Sequence, residues 1–206
     1  MRENPLFAND DPEVVRQLIR ENPWATLVSC GSSGMVASHY PILLDEDSSE
    51  LAVVSHVGKP DEVLHELGRG ESLLIVQGRH GYISPSWYAP EQAPIPTWNF
   101  SVAHCYGTPQ ILDAESNLRV LTRLTEHFER HVPQPALLDP ELGARMARGT
   151  VGYRMVIERF VSKVKLSQNK DPVTQRQVIE ALREPGAYQH PELADEMQHV
   201  LFDGAS

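Results

Sequence analysis

The sequence predicts a mainly β fold in which antiparallel strands form a barrel and helices flank it. About six or seven segments rich in β-branched and aromatic residues have the composition of strands. Short turns separate most of these segments, and short turns join antiparallel neighbours, whereas parallel strands need longer crossovers. The helical patterns fall at the start, at two interruptions and at the end of the chain, so a doubly wound α/β sheet is not supported.

Each predicted strand is a run of apolar and β-branched residues that a turn signal ends. The first two strands form a hairpin around the turn Gly-Ser-Ser-Gly at 31–34. The fourth strand runs directly into a stretch rich in aromatic residues. We predict strands at Trp24 to Cys30, Met35 to Leu44, Leu51 to Val57, Ser72 to Gln77, Trp98 to Gly107 and Val151 to Val161, and a polar connector from Ser162 to Asn169.

Three of the predicted helices begin at Asp-Pro pairs, with Asp11, Asp139 and Asp171 as capping residues. An aspartate side chain accepts hydrogen bonds from the free N–H groups of the first helical turn, and proline at the first helical position loses no bond by lacking its own. Apolar residues at helical spacing define the other helices. We predict helices at Asp11 to Asn22, Pro60 to Gly68, Asp113 to shortly before Pro133, Asp139 to about Ala147, Val173 to Arg183 and Pro191 to Phe202.

The length of 206 residues suits one sizeable domain, or one domain with an appendage. We predict a barrel domain at 1–170 and a C-terminal helical extension at 171–206, packed on the barrel or on a partner subunit. The apolar runs are too short to span a bilayer, and the N-terminus lacks the apolar segment of a signal peptide. We therefore expect a cytoplasmic protein that makes no membrane contact.

The formal net charge of −10 argues against direct DNA binding, because a duplex-binding domain needs a basic face to release counterions from phosphates. One local exception is a cluster of cations within a short part of the chain, which is sufficient for one small anion. Its members are Arg154, Arg159, Lys163, Lys165 and Lys170.

Several common kinds of site are not indicated. The sequence has no Gly-x-Ser-x-Gly elbow, no P-loop and no Gly-x-Gly-x-x-Gly fingerprint. Cys30 and Cys105 are too few for a disulfide framework and lie in predicted strands, so we expect buried free thiols. His127 and His131 are one helical turn apart without a third ligand nearby, so we interpret them as solvated helix residues and predict no metal site.

The stretch from Gly78 to Thr108 interleaves tryptophan, tyrosine and histidine along two predicted strands. These side chains combine an apolar body with a hydrogen-bonding end, which suits a wall against a flat, partly polar ligand. A half-buried hairpin whose polar tips reach water accounts for the same composition. Both interpretations stay open at this stage.

The connector from Lys163 to Asn169 is dense in hydrogen-bond donors. Flavin mononucleotide (FMN) needs donors for a phosphate dianion, a flat slot for its ring, and donors or positive charge near the pyrimidine side of that ring. The connector and the aromatic stretch together meet these needs. The alternative is a solvated loop between a strand and a helix, where such residues are common.

Six segments of the chain together form a specific pattern. They are Asn-Pro-Trp-Ala-Thr-Leu-Val-Ser at 22–29, Ala-Ser-His-Tyr-Pro at 37–41, Gln-Gly-Arg-His-Gly-Tyr-Ile-Ser-Pro-Ser-Trp-Tyr at 77–88, Pro-Thr-Trp-Asn-Phe at 96–100, His-Cys-Tyr-Gly-Thr at 104–108 and Lys-Val-Lys-Leu-Ser-Gln-Asn at 163–169. In these segments the chain resembles the PaiB-like family, which is described as FMN-binding negative transcriptional regulators. The resemblance implies a split β-barrel like that of pyridoxamine-phosphate oxidases, and a homodimer with a flavin site at the subunit interface.

The resemblance also implies ligand contacts at the matched positions. Ser38 and His39 would face the ring or the ribityl chain, while His56 and Lys59 would lie near the phosphate. The loop before Pro60 is shorter than in the family and lacks its arginine, so Lys59 would act there as a point charge. The remaining implied contacts are Trp98 and Asn99 at the border of the ring, and Lys163, Lys165, Ser167 and Gln168 from the same or the partner subunit; Trp87 would anchor the dimer.

Three functions follow from these observations. The first is an FMN-binding homodimer that senses a ligand or regulates transcription negatively. The second is an FMN-dependent oxidoreductase of the split-barrel type, with His104 and Tyr106 as candidate acids because they are close to the aromatic stretch. The third is a related barrel that binds haem through His39 or His104.

Overall fold

The computed structural model describes residues 1–2 and 4–204 and divides into two compact units. The first unit comprises Met1–Asp10, Gln77–Val102 and Val161–Ser206, and the second comprises Asp11–Val76 and Ala103–Phe160. Two long strands contribute residues to both units. Whether 171–206 forms a separate extension stays a prediction.

The strands and helices alternate irregularly along the chain, as expected for a mainly antiparallel fold. The strands are β1 (Ala8–Asn9), β2 (Trp24–Gly31), β3 (Gly34–Leu44), β4 (Ala52–Gly58), β5 (Ser72–Ile83), β6 (Thr97–Gly107), β7 (Gln110–Ile111), β8 (Thr150–Val156) and β9 (Arg159–Lys165). The helices are α1 (Pro12–Glu21), α2 (Lys59–Leu64), α3 (Ala114–Glu129), α4 (Pro140–Gly149), α5 (Pro172–Arg183) and α6 (Pro191–Gln198), with a 3-10 turn at Pro85–Trp87 and a π turn at His199–Asp203.

In the second unit the hydrogen-bonded strands follow the order β5-β2-β3-β4-β8-β7, and each described pair is antiparallel. The predicted hairpin of β2 and β3 is confirmed, with Leu27 opposite Ser38 and Cys30 opposite Met35. One core packs between this sheet and α1, around Val15, Ile19, Leu27, Ile42, Tyr153 and Met155. A smaller core packs α3 on the sheet through Leu43, Val54, Val120 and Leu124.

In the first unit the strand order is β1-β9-β6-β5, and α5 and α6 cover one face of these strands. Ile83 and Leu166 pack there against a helical core of Val178, Leu182, Leu193 and Met197. Gly81 allows this close packing, because a Cβ built on it would lie 2.8 Å from the Cδ2 of Leu193. Trp87 is half-buried against the same core, and its role as a dimer anchor stays a prediction.

The Asp-Pro helix starts are confirmed. The Oδ1 atom of Asp11 accepts a hydrogen bond of 2.8 Å from the N–H of Glu13, and that of Asp139 accepts one of 2.8 Å from the N–H of Leu142. Asp171 caps α5 in the same way, and proline lies at the start of all three helices. The three turns are therefore determined by local chemistry alone.

The single strand predicted from Val151 to Val161 is wrong. The chain forms β8, turns at Ile157 and Glu158, and continues as β9 with different partners. The polar connector predicted to begin at Ser162 is wrong for the same reason, because β9 continues to Lys165. Ser162, Lys163 and Lys165 belong to the strand, whereas Ser167, Gln168 and Asn169 follow it.

Cys105 is buried as predicted, and burial raises the pKa of its thiol to about 12. Cys30 is exposed, so its predicted burial is wrong. Side chains alternate along a strand, and β2 directs Ala25, Leu27 and Ser29 inward, which leaves Cys30 facing outward. Among the described residues, no helix combines the length and the apolar character that crossing a bilayer requires.

Candidate functional site

Four aromatic residues share the sheet face of the first unit that α5 and α6 leave uncovered. Alternation along β5 turns Gly81 and Ile83 towards the helices, which leaves His80 and Tyr82 on the opposite face. On β6 it places Trp98 and Phe100 there as well. We call this surface, which bears His80, Tyr82, Trp98 and Phe100, the aromatic face.

Trp98 is the centre of the aromatic face and is 53% exposed. The His80 ring stacks beside it at a centroid distance of 6.4 Å and an interplanar angle of 25°. Tyr82 meets the indole edge-on at 6.2 Å. An exposed tryptophan flanked by two further rings offers a flat apolar surface with polar tips, the character that the sequence indicates for this stretch.

Two lysines of β9 lie beside these rings. The ammonium of Lys165 donates a hydrogen bond of 2.9 Å to the main-chain oxygen of Trp98 and another to the Oγ1 of Thr97. The ammonium of Lys163 lies 6.0 Å from the centre of the Phe100 ring. Burial lowers the pKa of Lys165, and the positive charges of Lys163 and Lys170 lower it further.

These lysine charges are not neutralised within the described part of the chain. No carboxylate of residues 1–2 and 4–204 lies within ion-pair distance of Lys163, Lys165 or Lys170. Like charges that lower one another's pKa are stabilised by a bound anion. The three ammonium groups therefore favour an anionic ligand.

The arginines that the sequence groups with these lysines are already paired, so the predicted five-residue cation cluster is wrong. The guanidinium of Arg154 lies 2.6 Å from Asp45 and 3.3 Å from Glu50. Arg159 pairs with Glu71 at 2.8 Å and stacks over the Tyr106 ring at 3.5 Å. Among the described residues, the three lysines of this group have no carboxylate partner, unlike the two arginines.

Three predicted ligands of the first unit have protein partners away from the aromatic face. Asn99 is fully buried. Its Nδ2 donates a hydrogen bond of 2.9 Å to the Oγ of Ser167 and one of 3.3 Å to the Sδ of Met197. The Nε2 of Gln168 donates a hydrogen bond of 2.7 Å to the main-chain oxygen of Val164, and its Oε1 accepts one of 2.7 Å from the N–H of Leu166. The structure thus brings together Trp98, Lys163 and Lys165. Ser167 and Gln168 lie in the turn after β9, and Asn99 on β6 bonds to that turn through Ser167.

The second unit holds the other four predicted ligands. On β3, Ser38 turns inward while the neighbouring His39 is exposed on the opposite face, edge-on to Trp24 at 6.5 Å. These two side chains are therefore not brought together. Lys59 is exposed at the start of α2.

His56 on β4 carries an unusual buried atom. Its Nδ1 is inaccessible to solvent and has no hydrogen-bond partner in the described residues, and burial lowers the pKa of the ring. A buried polar atom without a partner costs about 1–3 kcal/mol. Such an atom is expected where a ligand completes the site.

The residues present fit FMN. The lysines of β9 suit a phosphate dianion, the aromatic face suits a flat ring, and the Nδ1 of His56, which has no partner among the described residues, suits an additional hydrogen bond. The lysines and the aromatic face belong to the first unit, and His56 belongs to the second.

A family model described as "Putative FMN-binding domain" matches residues 1–159. The chain belongs to this FMN-binding family. Membership confirms FMN as the predicted cofactor. The match ends before β9 is complete, so four predicted ligands of the first unit lie beyond it: Lys163, Lys165, Ser167 and Gln168.

A curated relative extends the similarity over nearly the whole chain. The chain is 29% identical over 197 residues to the protease synthase and sporulation protein PAI 2 of Bacillus subtilis, covering 92% of this chain and 94% of that protein. The predicted membership of the PaiB-like family is thereby confirmed.

Solved structures with a similar fold confirm the predicted antiparallel split barrel with flanking helices. The flavocytochrome Anf3 of Azotobacter vinelandii superposes with a TM-score of 0.63 at 14% identity, over 80% of this chain and 72% of that one. An FAD and haem binding protein of Mycobacterium smegmatis gives 0.61 at 15% identity, over 88% and 81%. At these identities the likeness concerns the fold alone.

Sequence reasoning missed two linked residues of this FMN-binding domain: His65, which contacts the predicted ligand Ser38, and Ser29, which contacts His65. His65, just after α2, lies between the hydroxyl groups of Ser29 and Ser38. Ser29 could have been found, because it is a polar residue on the inward face of β2 that Ala25 and Leu27 share. No local pattern marks His65, since its partners are 36 and 27 residues away in sequence.

Proposed function

We propose that this protein is an FMN-binding homodimer that senses a ligand or regulates transcription negatively. The observation that carries the FMN-binding role is the group of ammonium ions beside the exposed Trp98 for which residues 1–2 and 4–204 supply no carboxylate partner. The regulatory role is supported by the similarity to PAI 2, whose name connects that protein with protease synthesis and sporulation.

In this proposal the lysines of β9 contact the phosphate of FMN, and Trp98 supports the ring. Ser38, His39, His56 and Lys59 are the proposed contacts from the second unit, and Asn99, Ser167 and Gln168 remain proposed contacts from the first. Bound FMN supplies the capacity to accept and release electrons. The chain's own contribution is to bind the dianion, orient the ring and exclude water.

The homodimer is proposed through an exposed sheet face of the second unit. Alternating residues of β2, β3 and β5 place apolar side chains in rows, with Val28 opposite Ala37 and Leu73. Trp24 is 62% exposed and Met35 is 79% exposed on this face. Contiguous apolar surface of this kind marks an interface, and a second copy would cover it by the same residues on both sides. We call the surface of Trp24, Val28, Met35, Ala37, Leu73 and Ile75 the apolar face.

A regulator of this kind is proposed to act through a partner rather than by contacting an operator itself. The net charge of −10 opposes the phosphate backbone of DNA. A cytoplasmic location is part of the same proposal.

An oxidoreductase role is the second candidate, favoured by the open position of the aromatic face, where a second flat molecule has access to Trp98. Of the two candidate acids, Tyr106 is covered by Arg159, while His104 is partly exposed and burial lowers its pKa. The haem alternative depends on a histidine such as the exposed His39.

One spectroscopic experiment tests these roles. Purified protein is titrated with FMN, and binding is followed by the change in flavin fluorescence and by the absorption bands of bound oxidised flavin. We expect saturable FMN binding at one equivalent per chain, and no Soret band after haem addition. Failure to bind FMN would refute the proposed role, and reduction of the bound flavin by a pyridine nucleotide would favour the enzyme over the regulator.

A further inference from the structure

A buried histidine connects two serines on neighbouring strands of the second unit. The Nδ1 of His65 lies 2.7 Å from the Oγ of Ser29, and its Nε2 lies 2.9 Å from the Oγ of Ser38. His65 is 2% exposed and Ser29 is 5% exposed, whereas Ser38 is partly exposed. The chain of hydrogen bonds therefore runs from the interior towards a hydroxyl that a ligand can reach.

The direction of this chain follows from the partners of Ser29. In the described residues, the Ser29 hydroxyl has no hydrogen-bond partner other than His65. Leaving a buried O–H without an acceptor costs more free energy than leaving an oxygen lone pair unused. The Ser29 hydroxyl therefore donates to Nδ1 of His65. Burial lowers the pKa of His65, with an opposing effect of Asp61, and this favours the neutral ring. A neutral ring that accepts at Nδ1 carries its proton on Nε2.

The proton on Nε2 then determines what Ser38 offers. Nε2 donates to the Oγ of Ser38, which occupies a lone pair of that oxygen and leaves the O–H of Ser38 to act as a donor. The neighbouring Tyr40 hydroxyl is one acceptor of the same chain. An oxygen acceptor on a ligand, such as a phosphate, hydroxyl or carbonyl oxygen, competes with Tyr40 for this oriented O–H.

The backbone around His65 holds the ring in place. The next residue, Glu66, has a φ of +47°, in the left-handed region that favours glycine. Its Oε1 accepts a hydrogen bond of 2.9 Å from the N–H of Ser32 and another from the hydroxyl of that residue. Leu67, which follows, is buried in the core. Contacts of this kind are needed to maintain a strained backbone.

We propose that His65 is a positioning residue that orients the Ser38 hydroxyl as a hydrogen-bond donor to an oxygen of FMN. The inference rests on the proposed contact between Ser38 and FMN. His65 itself does not touch the ligand; it acts through Ser38, with Ser29 determining the position of its proton.

Two amide replacements separate this role from packing. His65→Gln places an amide near the position of Nε2 and keeps a donor for Ser38, whereas His65→Asn places it near Nδ1 and keeps only the contact with Ser29. We expect FMN affinity within about threefold of wild type for His65→Gln, and a loss of about threefold to tenfold for His65→Asn and for Ser38→Ala. The double variant His65→Asn, Ser38→Ala should lose no more than Ser38→Ala alone.

Thermal unfolding of the apoprotein accompanies each titration, because a merely structural role would lower the melting temperature of both amide variants without separating their affinities. Equal affinities for the two amide variants, or a double variant much weaker than Ser38→Ala, would overturn the inference. If wild type binds FMN and Ser38→Ala binds it equally well, the inference about His65 is overturned while the proposed function stands. If wild type does not bind FMN, the proposed function is refuted.

The proton position is tested without FMN and without any variant. Nitrogen-15 NMR of the wild-type apoprotein distinguishes the two neutral tautomers of His65. We expect the proton on Nε2, and a proton on Nδ1 would overturn the proposed direction of donation.

Discussion

The ammonium of Lys165 donates a hydrogen bond of 2.9 Å to the main-chain oxygen of Trp98, so a cation of β9 is fixed beside the exposed indole of β6. The two residues are 67 positions apart in sequence. Their contact places a positive charge and a flat apolar surface on adjacent strands, which is the pairing that a phosphorylated aromatic ligand requires.

Replacing Lys165 with alanine should weaken FMN binding. Loss of one charge-assisted hydrogen bond is worth ~1.5–3 kcal/mol, which corresponds to about tenfold or more in Kd. Arg176→Ala is the matched control, because it removes a positive charge from the same unit where Arg176 stacks over Phe202 at 5.0 Å. Fluorescence titration measures both variants. Equal affinities for Lys165→Ala, Arg176→Ala and wild type would exclude Lys165 from the site.

Replacing Met35 with aspartate should separate the proposed homodimer. A charge on the apolar face next to the β2–β3 turn would be buried without a partner in the dimer, at a cost of several kcal/mol. Val63→Asp is the control, because Val63 on α2 is 70% exposed but lies outside the apolar face. Sedimentation velocity at micromolar concentration should show a monomer for Met35→Asp and a dimer for wild type and Val63→Asp. A monomeric wild type would contradict the proposed interface.

The free energy of unfolding should fall as the pH drops below about 6.5, and His56 should contribute to this fall. Burial lowers the pKa of His56 from 6.5 in the folded state, so the unfolded chain binds the proton first. Stability contributed by the neutral ring is therefore complete above the unfolded pKa and is lost as the pH falls towards the lowered folded pKa.

His56→Leu should reduce the slope of unfolding free energy against pH in this range, by at most about 1.4 kcal/mol per pH unit. The exposed His199→Leu serves as the control. Urea unfolding at a series of pH values measures the slope. Identical slopes for His56→Leu and wild type would show that the ring is not held neutral by burial.

Gly107→Ala should destabilise the second unit severely. A Cβ built on Gly107 would lie 2.0 Å from the main-chain oxygen of Val156, and a backbone atom cannot rotate away. We expect a loss of about 3 kcal/mol or more, measured by urea unfolding. Gly70→Ala, where nothing lies within 4 Å of the new Cβ, should change stability by about 0.5 kcal/mol at most. A Gly107→Ala variant as stable as Gly70→Ala would contradict the packing of β6 beside β8.

Local chemistry explains the parts of the fold that could be predicted. Asp11, Asp139 and Asp171 cap helices because each side chain reaches N–H groups only two or three residues ahead. The turn at 31–34, which closes the β2–β3 hairpin, likewise depends on residues that are neighbours in sequence. These features depend on neighbours in sequence, so the sequence contains all the information they need.

The division of residues 151–161 into β8 and β9 could not be predicted in this way. Both strands contain β-branched residues, and the break at Ile157 and Glu158 carries no glycine or proline. The break arises because β8 pairs with β4, while β9 pairs with β1 at the other end of the chain. Pairing between distant segments is a property of the sheet.

The sequence by itself determined the composition of the candidate site: aromatic rings, lysines and serines suited to FMN, on predicted strands and in the predicted connector after them. Only the tertiary structure decided which of them are available. Helices α5 and α6 cover one face of the first unit, so Asn99 is buried while the adjacent Trp98 is exposed. Side chains alternate between the two faces of a strand whatever covers it. Which face is buried depends on a helix about 100 residues away in sequence, so long-range packing and not the local pattern decides which side chains are exposed.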